Sequence, residues 1–158
     1  IIMTRLVKVF DTDEEAKLDE VYEMKNLAEQ LGLLGYEAVE KFTEQQLTVI
    51  CNGIGPRFFP TWVREAISTI YRDLAVCAFI HDVEYYIGGG KEEWEQSNLR
   101  FKLNGYTVAK KKYGWWNPLR YRVMWNAYTF YKLVSSKSGW KAFNKKDGAD
   151  DDEESEEK

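Results

Sequence analysis

The chain has 158 residues, 44% hydrophobic and 15% aromatic, with 22 Lys or Arg against 26 Asp or Glu and a formal net charge of −4. This is the size of one ordinary domain with enough apolar material for a core, and charges such as Arg72, Asp73, Asp82 and Glu84 interrupt the long apolar runs, which argues against a membrane span. Two cysteines, Cys51 and Cys77, are too few for a disulfide scaffold and lack metal-ligand spacing, so both read as small apolar residues.

The charge lies in blocks. Residues 1–101 carry a net −8, residues 102–146 carry 11 Lys or Arg and no acid, and the closing DGADDDEESEEK carries a net −7. That last stretch has almost nothing to bury and repels itself, so the expectation is one mostly helical domain over 1–146 and a disordered acidic tail over 147–158. The N-terminal stretch has no sustained apolar core and no small-residue cleavage site, so no secretory signal is visible.

In chain order, the alternating MTRLVKVF suits an edge strand or an extended arm. Thr12 and Glu15 have the spacing of a capping box, followed by a helix with Val21, Met24, Leu27 and Leu31 on one face and Gly32 as its stop. From Leu33 to Thr48 a second helix is expected around Tyr36 to Phe42, then an extended LTVIC. CNGIGPRFFP is dense in turn formers.

Pro60-Thr61 opens the strongest helix, about 61–87. Val63, Ala66, Ile67, Ile70, Leu74, Cys77, Ala78, His81 and Tyr85 form its apolar stripe, and Gly88-Gly89-Gly90 ends it. A further helix, about 91–103, carries Trp94, Asn98 and Phe101 on one face. Three glycines are a short connection, so the two helices should lie antiparallel. Counted from Gly89, His81 is eight residues back and Asn98 nine forward, which puts them at similar height. YTVAKKKYGWW, from Tyr106, reads as a loop or short hairpin. Asn117-Pro118 then caps a third long helix ending near Ser135 to Gly139, with Leu119, Val123, Met124, Ala127, Tyr131 and Val134 in the core. The expected fold is mostly α: the antiparallel pair with N- and C-terminal helices packed outside it.

A lone histidine on an apolar stripe is ordinarily a core residue. His81, however, belongs to a pattern: His81-Asp82 and Tyr85, then Gly88-Gly89, then Ser97-Asn98 and Phe101. This resembles the secreted phospholipase A2 superfamily, in particular its compact viral and bacterial forms with HDxxY, a glycine turn and ADxxF. Cys51-Asn52-Gly53-Ile54-Gly55-Pro56 is similar to the family's glycine-rich calcium loop. The likeness spans about residues 51–103. It implies that His81 is the general base activating a water against a phospholipid ester, that Asp82 and the Gly53 and Gly55 carbonyls hold calcium, and that Tyr85 and Asn98 support the base. Asn98 stands where the family has an aspartate. The implied activity is a calcium-dependent lipid hydrolase or a degenerate relative of one.

The segment from Tyr106 to Phe143 has 11 aromatic residues, and Lys110, Lys111, Lys112, Trp115 and Trp116 cannot all be buried. Clustered lysines beside tryptophan suit an anionic phospholipid surface. They suit single-stranded nucleic acid or a protein partner in an assembly as well, and a solvated basic face is the bland reading. A second class of function is therefore a non-catalytic structural or binding protein, for example a component of a virus or phage particle. No P-loop, dinucleotide fingerprint, GxSxG or zinc spacing occurs, which removes nucleotide, serine-nucleophile and zinc chemistry from the leading readings.

Overall fold

The computed structural model describes residues 14–51 and 61–144, with side chains over 18–51 and 73–144. These residues form seven helices and no strand: α1 (Glu14–Leu31), α2 (Tyr36–Val39), α3 (Glu44–Ile50), α4 (Thr61–Ile87), α5 (Lys91–Lys112), α6 (Pro118–Val134) and α7 (Lys137–Asn144). The protein is mostly α. MTRLVKVF, the Thr12 cap, the loop with Gly53 and Gly55, and the acidic segment 147–158 lie outside the described residues.

The bend between α4 and α5 positions everything that follows. Gly88 has φ 69° and Gly89 φ 137°, conformations that a Cβ would strain, so the chain reverses here within three residues. The Glu93 carboxylate accepts from the Gly90 N–H at 2.8 Å and starts α5. Helix α5 then lies between α4 and α6, while α1, α2 and α3 pack against α4. Val21, Met24 and Ala28 of α1, Leu74 to Ile80 and Val83 of α4, Phe101, Val108 and Ala109 of α5, and Val123, Ala127, Phe130 and Val134 of α6 share one core.

Three local expectations are corrected. Leu47 to Ile50 of LTVIC are helical rather than extended, and Cys51 caps the helix. Thr43 Oγ1 accepts from the Gln46 N–H at 3.3 Å while Gln46 Oε1 accepts from the Thr43 N–H at 2.9 Å, so the capping box nucleates α3 and aims Leu47 into the core. Helix α5 runs to Lys112, not to residue 103, and the expected loop or hairpin from Tyr106 forms its last two turns. Asn104 and Gly105 lie inside this helix and are used for packing. Asn104 Oδ1 accepts from the Leu34 N–H at 2.8 Å, and its Nδ2 donates to the Leu34 carbonyl at 2.9 Å. Gly105 faces α6 so closely that a Cβ there would lie 2.5 Å from Ala127 Cβ. Finally, Leu119 is 44% exposed instead of buried, because the first turn of α6 turns it outward.

Asn117 does cap α6, its Oδ1 accepting from the Leu119 N–H at 3.0 Å ahead of Pro118. Beyond Ser135-Ser136 the chain forms α7, which returns Trp140 onto Trp94 and Phe143 onto Tyr85 with ring centroids 5.3 and 5.0 Å apart. Among the described residues no helix is long and apolar enough to cross a membrane.

Candidate functional site

His81 sits on the inner face of α4 and is 4% exposed. Its ring packs edge-on against Phe101 of α5 at 5.4 Å and Phe130 of α6 at 5.7 Å, and lies tilted beside Tyr85 at 4.1 Å. Its Nε2 is 2.9 Å from Asn98 Oδ1, and the Tyr85 hydroxyl donates to the same oxygen at 2.8 Å. The eight-and-nine count across the glycine bend thus puts the imidazole and the amide in hydrogen-bond contact. Burial pushes the His81 pKa down to about 4, the Asn98 hydrogen bond acting in the opposite direction. The ring is neutral near pH 7.

The tautomer follows from Val134. Asn98 Nδ2 donates to the Val134 carbonyl at the end of α6, 3.2 Å away. This orients the amide so that Oδ1, which can only accept, faces His81. Nε2 must then carry the proton, which leaves the lone pair on Nδ1. A buried asparagine thereby does the orienting half of what a carboxylate would do, without the charge. Val134 itself is held by a close approach of α7: a Cβ on Gly139 would lie 1.8 Å from the Val134 carbonyl oxygen, a backbone atom that cannot move aside. Gly139→Ala is therefore expected to lower stability by about 1–3 kcal/mol. It should also release the Asn98 amide, read as a shifted midpoint in urea unfolding together with an altered His81 imidazole signal.

Asp82, the next residue on α4, is half-buried, and removal from water pushes its carboxyl up to about 7. Its charge reaches the Cys51 thiol, which burial first and Asp82 second push upward. Cys51, whose Sγ lies 4.0 Å from the Phe79 carbonyl oxygen, is the residue leading into 52–56. Asp82 thus acts electrostatically on Cys51, while Gly53 and Gly55 are outside the described residues. Among the described residues no group of three or more His, Cys, Asp or Glu side chains could hold a metal ion. Glu84, two residues on, is committed elsewhere: it pairs with Arg100, and burial raises its carboxyl against that guanidinium's pull.

The basic run divides. Lys111 Nζ donates to the Leu31 carbonyl at the end of α1, 2.7 Å away, and Lys112 pairs with Asp73, whose carboxylate also accepts from the Tyr113 hydroxyl. Both tie α5 to its neighbours. Lys110, Trp115 and Trp116 face solvent, the two indoles 75% and 72% exposed. Trp94 and Phe101 are core, as their helical spacing suggests.

Phe130, Val134 and Phe143 were not singled out as parts of this site. They come from α6 and α7, which reach it through tertiary packing that no neighbouring residue signals. Comparison with protein-family models, with curated proteins and with solved structures finds no match to the chain. The likeness to phospholipase A2 rests on the residues of this chain alone.

Proposed function

We propose that the chain is a phospholipase A2-like, calcium-dependent lipid hydrolase whose base is attenuated by Asn98. The observation that carries this reading is the shared Asn98 oxygen, which accepts from both His81 Nε2 and the Tyr85 hydroxyl. The pattern that suggested a base, a partner and a supporting tyrosine is matched by three side chains in one hydrogen-bond network.

In this reading Nδ1 of His81 takes a proton from the water that attacks the ester carbonyl, and Nε2–H stays on Asn98 throughout. Tyr85 and Val134 hold the amide in place. The imidazolium that forms has only an amide dipole opposite it, so the proton transfer is supported less than by a carboxylate. Asp82 is a desolvated carboxyl whose charge reaches Cys51, an oxygen donor suited to a hard cation, and Gly53 and Gly55 would add backbone oxygens. When bound, calcium supplies positive charge for the developing oxyanion.

One observation favours the second reading, a non-catalytic structural or binding protein: the imidazole is enclosed by Phe101, Phe130 and Tyr85. Fatty-acid release from anionic vesicles separates the two. The hydrolase reading expects calcium-dependent release by the wild type, with His81→Gln or chelator lowering it by at least about 10²-fold. Equal background in all four combinations would leave the scaffold reading.

A further inference from the structure

The outer face of α6 is not used by the fold. Tyr121, Trp125 and Tyr128 are 55%, 67% and 37% exposed and follow one another at steps of four and three, so their rings line one side of the helix over about 10 Å. The Trp115-Trp116 turn extends this line, because the Tyr121 hydroxyl donates to the Trp115 carbonyl at 2.7 Å and fixes the turn to the helix. Arg122 and Lys132 are exposed on the same helix, Lys110 is exposed near the end of α5, and no acid occurs between residues 102 and 146.

We propose that this aromatic, cationic face of α6 and the Trp115-Trp116 turn is the surface by which the protein docks on an anionic lipid bilayer. Charge complementarity selects an anionic partner, and the amphipathic Tyr and Trp rings, with cations held over Tyr128 and Tyr131, favour a bilayer over single-stranded nucleic acid. Stacking bases requires free ring faces. Here Trp125 lies tilted beside Tyr128 at 6.0 Å, and cations already sit over two of the tyrosine rings, Lys132 over Tyr128 at 6.0 Å and Lys102 over Tyr131 at 4.5 Å. Tyrosine and tryptophan, each with an apolar body and a polar tip, are the residues enriched at the boundary between water and hydrocarbon. Long cationic side chains rest their apolar stems on such a surface while their heads reach lipid phosphate. The basic run on α5 contributes Lys110 alone, since Lys111 and Lys112 are engaged within the protein.

The docking does not depend on turnover at His81, and its test reads binding only. Co-sedimentation of the full chain with phosphatidylglycerol-containing vesicles is compared with pure phosphatidylcholine vesicles, with a single-stranded oligonucleotide shift assay and with light scattering of the protein alone. The expected result is retention on anionic vesicles that weakens with salt. Arg122→Glu should reduce it by on the order of tenfold and Trp125→Ala by at least as much, with the thermal midpoint unchanged because both side chains are exposed. Absence of binding to anionic vesicles, binding unaffected by both variants, tighter binding to the oligonucleotide, or a dimer abolished by Trp125→Ala would each overturn the proposal.

Discussion

Asn98→Asp is expected to raise the His81 pKa by about one to three pH units from its value near 4, because a carboxylate stabilises the imidazolium by charge where the amide offers only a dipole. Two consequences oppose each other. Hydrolysis should rise by on the order of 10²-fold, as the base gains a counter-ion. Stability should fall by about 1–3 kcal/mol, since the Val134 carbonyl, now given an N–H at 3.2 Å, would face a second acceptor. Asn98 suits this protein because α6 ends with a carbonyl that needs a donor. Asn98→Ala removes the partner of His81 Nε2, of the Tyr85 hydroxyl and of Val134 at once, in a fully buried position, and should cost about 3 kcal/mol or more with no gain in activity. Urea unfolding, the His81 titration and vesicle hydrolysis on the same two variants decide the matter. If Asn98→Asp unfolds the protein and leaves hydrolysis at background, Asn98 is a packing residue and nothing more.

The second large effect is on the pH dependence of stability. His81 has a folded pKa of about 4 against an ordinary 6.5, so its contribution is present above pH 6.5 and is lost as pH falls toward 4, a difference of about 3 kcal/mol. Asp82 has the opposite sign. Its folded pKa of about 7 lies above the ordinary 3.8, so its contribution is present below pH 4 and is lost as pH rises through 7; solvent at the half-buried carboxyl reduces the amount. Over the window between about pH 4 and 6.5 the two slopes oppose, and these residues together leave stability nearly level. Asp82→Asn removes one of them. Relative to the wild type, its stability should rise between pH 4 and 6.5 by about 1.4 kcal/mol per pH unit at most. His81→Gln should tilt the curve the other way, losing stability as pH rises toward 7. Calcium, by favouring ionised Asp82, should do to the wild type what Asp82→Asn does. Superimposable difference curves for the two variants would show that neither group is desolvated in this way.

The antiparallel pair was legible because its signals are local. Pro60 and the glycine triplet bound α4, and a helical rise counted from Gly89 is enough to bring His81 opposite Asn98. Where the reading failed, a tertiary partner had taken over a local signal. The helix expected to end near residue 103 continues, because Leu34 takes up Asn104 and Gly105 fits closely against Ala127. LTVIC reads as extended, and a capping box opened by Thr43, four residues upstream, carries a helix through Ile50. The three lysines at 110–112 look alike in sequence, yet Leu31 and Asp73 claim two of them. The part of the site contributed by Phe130, Val134 and Phe143 depends on how α6 and α7 return to the pair, which no nearby residue spells out.

The chain has a single histidine, so its imidazole nitrogens give an unambiguous signal in 15N NMR. A pH titration of the calcium-free full chain is expected to show the proton on Nε2, Nδ1 bare, and protonation only near pH 4. A proton on Nδ1, or a titration near the ordinary 6.5 of an exposed histidine, would contradict the Asn98-held base on which the hydrolase reading stands.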